Sequence, residues 1–133
     1  MKKVLLLITS ITFVFGTPMD EYINNLKVQA KQENPDFVNF DKNRGEKIFL
    51  KKMVGKRGKV INCASCHTND LTKEGENIFT GKKIKPLSPK VNSDRLSDVK
   101  KVKKWLRRNF KDVYKAEGSA QEKGDVLLYI SNY

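Results

Sequence analysis

Both cysteines of the chain and its only histidine lie within five residues of one another. They are Cys63, Cys66 and His67, in the stretch NCASCHTN. Thiolate sulfur and imidazole nitrogen bind soft and borderline metals, and closely spaced thiols also undergo redox exchange or form thioether bonds. The spacing therefore indicates a metal-bearing or reactive site, and three chemistries compete for it.

The residue count decides between these chemistries. A thioredoxin-type dithiol normally follows a strand in a βαβ unit, and no such strand pattern precedes Cys63. A structural zinc site needs four ligands, and the chain has no further cysteine or histidine. Covalent haem uses all three residues, with Cys63 and Cys66 as thioether anchors and His67 as the proximal iron ligand. We therefore predict one haem c, and keep a non-haem dithiol protein as the alternative.

The ligand on the other face of the iron is not a typical one. Electron-carrying cytochromes c usually place a methionine there, downstream of the haem motif, but Met1, Met19 and Met53 all precede it. The axial ligand sets both the reduction potential and the access of small molecules. We expect a sixth position that is open or held by a weaker ligand such as Asn, Lys or Tyr.

The N-terminal residues have the pattern of a secretory signal peptide. Two lysines precede an apolar run over residues 4–15, and Val14 and Gly16 fit a signal-peptidase site. This run is too short to cross about 30 Å of hydrocarbon. We therefore expect a signal peptide at residues 1–16, a periplasmic cytochrome c domain at residues 17–133 and no integral membrane segment.

Helical periodicity and capping residues predict an all-α domain with about four helices around the cofactor. No strand pattern is evident, and residues 68–97 are rich in turn formers, so we expect them to wrap the haem as a loop. The expected helices are 20–33, within an N-terminal extension of residues 17–41; 42–54, capped by Asp41; about 98–113, capped by Asp98; and 120–132, opened by the capping box of Ser119 and Glu122.

Two of these helices carry the residues with which small cytochromes c join their first and last helices. Gly45 and Phe49 have a Gly-x-x-x-Phe spacing, and Tyr129 lies on the apolar face of the last helix. By analogy with class I cytochromes c, we expect these three residues to meet. Any two amphipathic helices would share this pattern, so the expectation rests on the analogy.

The helix that begins near residue 98 carries an amide on its apolar stripe. Val102, Trp105, Leu106 and Val113 form the stripe, and Asn109 falls on it. A buried amide without a partner costs about 1–3 kcal/mol, and the haem iron would be a partner. Asn109 is therefore a candidate distal ligand, although capping of a backbone group or partial exposure explains the pattern as well. Trp105 either packs on the haem or is an ordinary core residue.

The opposite face of this helix is almost wholly basic, in a chain of formal net charge +12. Such a face is typical of nucleic-acid binding, but export argues against that function. Steering toward an acidic redox partner fits better, with weak membrane attraction or a merely solvated face as alternatives. The basic residues are Lys100, Lys101, Lys103, Lys104, Arg107, Arg108 and Lys111.

Three strings beyond the haem motif resemble the sphaeroides haem protein family of small exported monohaem cytochromes c. They are TGKKIKPLSP (80–89), DVKKVKKWLRRNFKDV (98–113) and AQEKGDVLLYI (120–130). The resemblance covers about residues 42–131, and it implies a class I-like cytochrome c fold. It also implies an electron-donating dihaem cytochrome c as partner.

The resemblance further implies a role for the Asn of the RN pair. In the family this residue is the distal ligand of the oxidised protein. It leaves the iron on reduction, so that the high-spin iron binds oxygen and other small ligands. The matching residue is Asn109, with Asn92 and then a loop lysine such as Lys85 as further candidates. Small cytochromes c also orient the proximal histidine with a proline carbonyl, for which we expect Pro86.

The chain departs from the family at one pair of positions. The family often has a disulfide between the residue after the ligand Asn and a residue just before the last helix, where this chain has Phe110 and Gly118. Loss of a short cross-link costs about 2–3 kcal/mol in the chain-entropy picture. We expect packing of Phe110 to take its place.

Two functional hypotheses follow from the haem assignment. The first is a cytochrome that binds a diatomic gas such as oxygen or nitric oxide when reduced. The second is a low-spin electron carrier without ligand binding. Apart from His67, no acid–base group is clearly placed near the iron, so the sequence makes no case for or against an enzyme.

Overall fold

Helices hold about half of residues 16–133, the part of the chain that the computed structural model describes. The predicted signal peptide lies outside the described residues except for Gly16. The helices are α1 (Pro18–Glu33), α2 (Lys42–Leu50), α3 (Ala64–His67), α4 (Val99–Tyr114) and α5 (Ala120–Ser131), and a 3₁₀ turn covers Lys56–Gly58. The predicted all-α class is thereby confirmed. Among residues 16–133, no helix has the length and apolar character needed to cross a membrane.

Within residues 16–133, four strands of two residues each correct the expectation that the chain has no strands. They are β1 (Met53–Val54), β2 (Val60–Ile61), β3 (Gly75–Glu76) and β4 (Lys83–Ile84). β1 pairs antiparallel with β2, and β3 with β4. The second helix therefore ends at Leu50, and Met53 belongs to a hairpin. Two-residue strands are too short to show an alternating pattern, and β-branched residues in the first hairpin favour extended backbone.

Helices α2 and α5 contact each other through the residues expected from the cytochrome analogy. A Cβ atom at Gly45 would overlap the carbonyl oxygen of Asp125, so only glycine permits this approach. The ring centroids of Phe49 and Tyr129 lie 5.5 Å apart. Beside them, Arg44 Nε donates to the buried carboxylate of Asp125 at 2.8 Å. The predicted meeting of Gly45, Phe49 and Tyr129 is confirmed.

Helix α1, which lies in the expected N-terminal extension of residues 17–41, packs into the hydrophobic core. Its buried face consists of Tyr22, Leu26 and Ala30, which pack with Phe37, Phe40, Ala120 and Leu127. The Thr17 hydroxyl accepts from the backbone N–H of Asp20, whose carboxylate accepts from the Thr17 N–H in return. This capping box starts the helix next to the predicted cleavage site.

The caps predicted for the last two helices are present. The Asp98 carboxylate accepts from the backbone N–H of Lys101 at 3.0 Å, which begins α4 one residue later. Ser119 and Glu122 form the capping box of α5. Both helices border the haem-motif segment, so these local signals determine where the walls of the site begin.

Candidate functional site

One helical turn holds the three residues of the motif. Cys63 precedes α3, and Cys66 and His67 end it, so the three side chains have the i, i+3 and i+4 spacing of a single helix face. The backbone N–H of Cys63 donates to the carbonyl of Phe49 at 3.1 Å and ties the turn to α2. On the other side, a Cβ atom at Gly75 would overlap the Cys66 carbonyl oxygen. Strand β3 therefore lies directly against the motif backbone.

A cavity of about 520 Å³ lies beside this turn and is walled by α4 and α5. Its size is typical of sites for organic cofactors. Its lining combines apolar side chains with a few polar groups at one rim. The lining residues are Phe49, Cys63, His67, Leu87, Asp94, Arg95, Leu96, Ser97, Asp98, Lys101, Val102, Trp105, Leu106, Asn109, Phe110, Val126, Leu127 and Ile130.

His67 is held in a form suited to metal ligation. Burial lowers the pKa of His67 to about 4, and the positive charge of Arg95 acts in the same direction. The imidazole is therefore neutral at pH 7, which is the ligating form. Its Nδ1 atom is buried without a hydrogen-bond partner among the described residues. A neutral imidazole that lines a largely apolar cavity fits a haem group better than a closed protein core.

The hydrogen bond expected between His67 and the Pro86 carbonyl is not formed. That carbonyl accepts instead from Asn92 Nδ2 at 2.8 Å and from Arg95 Nε at 2.7 Å. Two donors occupy both lone pairs of the oxygen, which leaves none for the imidazole. Pro86 itself does not line the cavity, whereas Leu87 does.

The structure brings Asn109 and Trp105 to the cavity that His67 lines. The other two distal-ligand candidates do not line it, because the Asn92 amide is bound to Pro86 and Lys85 is exposed. Trp105 is neither an ordinary buried core residue nor a fully exposed surface residue. It lines the cavity, remains 50% exposed and carries the guanidinium of Arg108 at 5.1 Å from its ring.

A polar rim at the start of α4 is the part of the site that sequence reasoning missed. Arg95 lines the cavity and donates to the carbonyls of Lys85 and Pro86, and Asp94, Asp98 and Lys101 lie near it. Leu96, next to Arg95, adopts a φ of 62°. The only sequence signal was a charged segment directly before a helix cap, which most solvated loops share.

Two alternatives to haem receive no support from the geometry. Burial raises the pKa of the Cys63 thiol to about 12, so it supplies almost no thiolate for disulfide exchange at pH 7. Within residues 16–133, no three His, Cys, Asp or Glu side chains converge as a zinc ion would require. The donor set and the cavity together fit a haem group attached at the motif.

Sequence comparisons link the chain to known cytochromes. A family model described as "Domain of unknown function (DUF1924)" matches residues 35–130. Cytochrome c'' of Methylophilus methylotrophus is 37% identical over 101 residues, which cover 76% of this chain and 70% of the relative. Cytochrome c-type protein SHP of Cereibacter sphaeroides is 36% identical over 91 residues, which cover 68% of this chain and 70% of the relative.

Solved structures of the same two proteins share the fold. Oxidised SHP, described as an oxygen-binding cytochrome c, superimposes with a TM-score of 0.75 at 31% identity, covering 88% of this chain and 98% of SHP. Oxidised cytochrome c'' gives a TM-score of 0.74 at 33% identity, covering 84% of this chain and 91% of the other.

The fold and these matches define a monohaem c-type cytochrome, whose cofactor is one covalently bound haem c. The chain belongs to the family that includes SHP and cytochrome c'', the sphaeroides haem protein family expected from its sequence strings.

Proposed function

We propose that the protein is an exported cytochrome whose distal ligand, Asn109, is displaced on reduction, so that a small diatomic gas binds in its place. The haem supplies an iron that changes oxidation state and, when reduced, accepts a gas such as oxygen or nitric oxide. The description of SHP as oxygen-binding supports this function for a chain 31% identical to it. Cytochrome c'' has also been described in terms of haem-ligand detachment.

Each motif residue has one role in this proposal. Cys63 and Cys66 anchor the cofactor through thioether bonds, and His67 presents a neutral nitrogen as the proximal ligand. The tie between Cys63 N–H and the Phe49 carbonyl, together with the close approach of Gly75, holds their shared turn in place. Rigid support keeps the proximal side unchanged while the distal side opens.

The observation that carries the proposal is the lining of the cavity. His67 and Asn109 come from segments 42 positions apart in sequence and line the same space. Among the described residues that line it there is no methionine and no second histidine. An amide is a hard donor, which suits ferric iron better than the softer ferrous state. Reduction of a bound haem iron would therefore weaken the hold of Asn109 and open that position to a small ligand.

The optical spectrum of an Asn109→Ala variant tests this assignment. We expect the oxidised wild-type protein to be low-spin and the oxidised variant to be high-spin, since the variant offers only water or an empty position. When reduced, both should bind carbon monoxide within seconds of mixing. An unchanged ferric spectrum in Asn109→Ala would show that another residue is the ligand.

Lys101→Ala is the matched control, because Lys101 also lines the cavity and could supply a nitrogen ligand. Its ammonium group lies 3.4 Å from the Asp98 carboxylate, on a side chain that is 76% exposed, so it points to solvent and away from the iron. We expect its ferric spectrum to match the wild type. If the protein is instead a low-spin electron carrier, the alternative function, the reduced protein should not bind carbon monoxide until it is unfolded.

The basic face of α4 supports an acidic redox partner. Trp105 lies on the border between this face and the cavity, with cations of Lys104 and Arg108 within 5.3 Å and 5.1 Å of its ring. An acidic donor such as a dihaem cytochrome c would dock there under electrostatic attraction. The rate of reduction by such a donor should then fall steeply as salt rises, whereas reduction by a neutral small molecule should not.

Export completes the proposal. Residues 1–16 act as a signal peptide, residues 17–133 form the haem domain, and haem is attached in the periplasm. The capping box at Thr17 supports this division, because cleavage after Gly16 leaves α1 whole. The mass of the protein recovered from the periplasmic fraction should correspond to a chain that begins at Thr17.

A further inference from the structure

A second cavity, of about 450 Å³, lies between α1 and α4 and shares no lining residue with the haem cavity. From α4 it receives Lys103 and Arg107, one helical turn apart, and from α5 it receives Lys123. Among the described residues that line this cavity, none is acidic. Three positive charges therefore converge on one cleft.

These charges are not neutralised within the part of the chain that the structure describes. None of the three cations is within 4.0 Å of a carboxylate oxygen there. The carboxylate of Glu117 interacts electrostatically with Arg107 and Lys123, but it is paired with Lys111 at 2.7 Å. The positive potential of the cleft is thus left for an external anion.

The remaining wall supplies neutral donors. The side chains of Asn25 and Gln29 line the cleft from α1, and both residues are exposed and so accessible to a ligand. Burial raises the pKa of Tyr22, so its phenol stays protonated and able to donate. The ammonium of Lys103 lies 4.7 Å from the centre of the Tyr22 ring, which holds this cation at the cleft wall.

From this arrangement we infer that the cleft between α1 and α4 is a binding site for a compact polyanion of the phosphate class. Ammonium and guanidinium groups form short, charge-assisted hydrogen bonds with phosphate oxygens, and amides complete the shell. The volume suits a small molecule bearing one or two phosphoryl groups, and Leu26 and Val28 offer apolar contact to its organic part. The bound anion would link the N-terminal helix to the helix that carries Asn109.

Titration calorimetry of the haem-loaded protein with inorganic pyrophosphate, at constant ionic strength, tests the site. Two double variants each remove two positive charges from α4. Lys103→Gln with Arg107→Gln removes them from the cleft, whereas Lys104→Gln with Arg108→Gln removes them from outside it. We expect one saturable site in the wild type, a loss of affinity of about tenfold or more in the first variant and less than about twofold in the second.

A second measurement distinguishes a built site from general charge attraction. Pyrophosphate should raise the thermal unfolding midpoint of the wild type and of the variant with Lys104→Gln and Arg108→Gln. It should not raise that of the variant with Lys103→Gln and Arg107→Gln, because a ligand stabilises the folded protein only by binding to it. Equal losses of affinity in both variants would mean that the net charge alone attracts the anion, and the inference would be wrong. Absence of saturable binding to the wild type would overturn it as well.

Discussion

Gly118, in the turn between α4 and α5, is the position where substitution tests the packing beside Asn109 most directly. Its φ of +75° lies in the left-handed region. A Cβ atom built there would lie 2.6 Å from Cδ1 of Phe110, whose side chain is 3% exposed. The change Gly118→Ala therefore strains the backbone and overlaps a buried ring at the same time.

The expected cost has two parts. A non-glycine residue in the left-handed region costs about 1–2 kcal/mol. Forcing an additional methyl group against a well-packed ring costs about 1–3 kcal/mol more. Gly118→Ala should therefore lower the free energy of unfolding by about 2–5 kcal/mol, out of a typical total of about 5–15 kcal/mol.

Chemical denaturation of the haem-loaded protein, followed by far-ultraviolet circular dichroism, measures this loss. Gly81→Ala is the matched control, because Gly81 has a φ of +69° and no neighbouring atom within 4 Å of its Cβ position. It should show the backbone part alone. Phe110→Leu placed in the Gly118→Ala background should recover part of the steric cost, so the double-mutant cycle should show favourable coupling.

Equal destabilisation by Gly118→Ala and Gly81→Ala would refute the steric reasoning, since only the backbone term would then be present. A zero coupling energy between positions 110 and 118 would refute it independently. In either case the contact between the Phe110 ring and Gly118 would contribute nothing to the stability of this end of α4.

Three further predictions concern the ion pair, the α4 cap and the motif turn. Arg44→Met should lower the free energy of unfolding, measured by chemical denaturation, more than Asp125→Asn does. The Arg44→Met variant leaves the Asp125 carboxylate, which is 1% exposed, buried without its cation. In Asp125→Asn the unpaired Arg44 is 45% exposed and is hydrated by solvent. The hydrogen bond from the Lys101 N–H lowers the pKa of Asp98 below its ordinary value of 3.8. The ionised cap therefore stabilises α4 above pH 3.8, and this stabilisation is lost as the pH falls through the lowered pKa. The stability advantage of the wild type over Asp98→Asn at about pH 7 should shrink at about pH 3. Gly75→Ala should sharply reduce the ratio of Soret absorbance to protein in purified material, because its methyl group would meet the Cys66 carbonyl, a backbone atom that cannot rotate away.

Local signals predicted much of the fold. The caps of α4 and α5 lie where Asp98 and Ser119 indicated, because a cap depends on only three or four neighbouring residues. The glycine-to-aromatic contact between α2 and α5 was expected from an analogy and is present. The apolar stripe of α4 was also sufficient to bring Asn109 and Trp105 to one cavity, since a helix displays its pattern along a single face.

Features that depend on tertiary contacts could not be predicted. The end of α2 and the hairpin containing Met53 are decided by pairing between short segments, which leaves no periodic pattern. The Pro86 carbonyl is taken by Arg95, nine residues further along, and no local rule selects that donor over His67. The haem-cavity rim and the cationic cleft likewise arise from segments that come together only in the folded chain.

The contact between Phe110 and Gly118 also bears on how the protein matures. It closes the turn after α4 by ring packing, at the pair of positions where the family resemblance implies a disulfide. Cys63 and Cys66 are the only two thiols in residues 1–133, so under the proposed export to an oxidising compartment neither would meet a competing cysteine from this sequence. Haem attachment needs both thiols reduced, and the one disulfide that residues 1–133 can form within themselves is the one between Cys63 and Cys66. Assembly of this cytochrome thus requires only that Cys63 and Cys66 be kept reduced until haem is attached, and no structural disulfide at positions 110 and 118 has to form before or after that step.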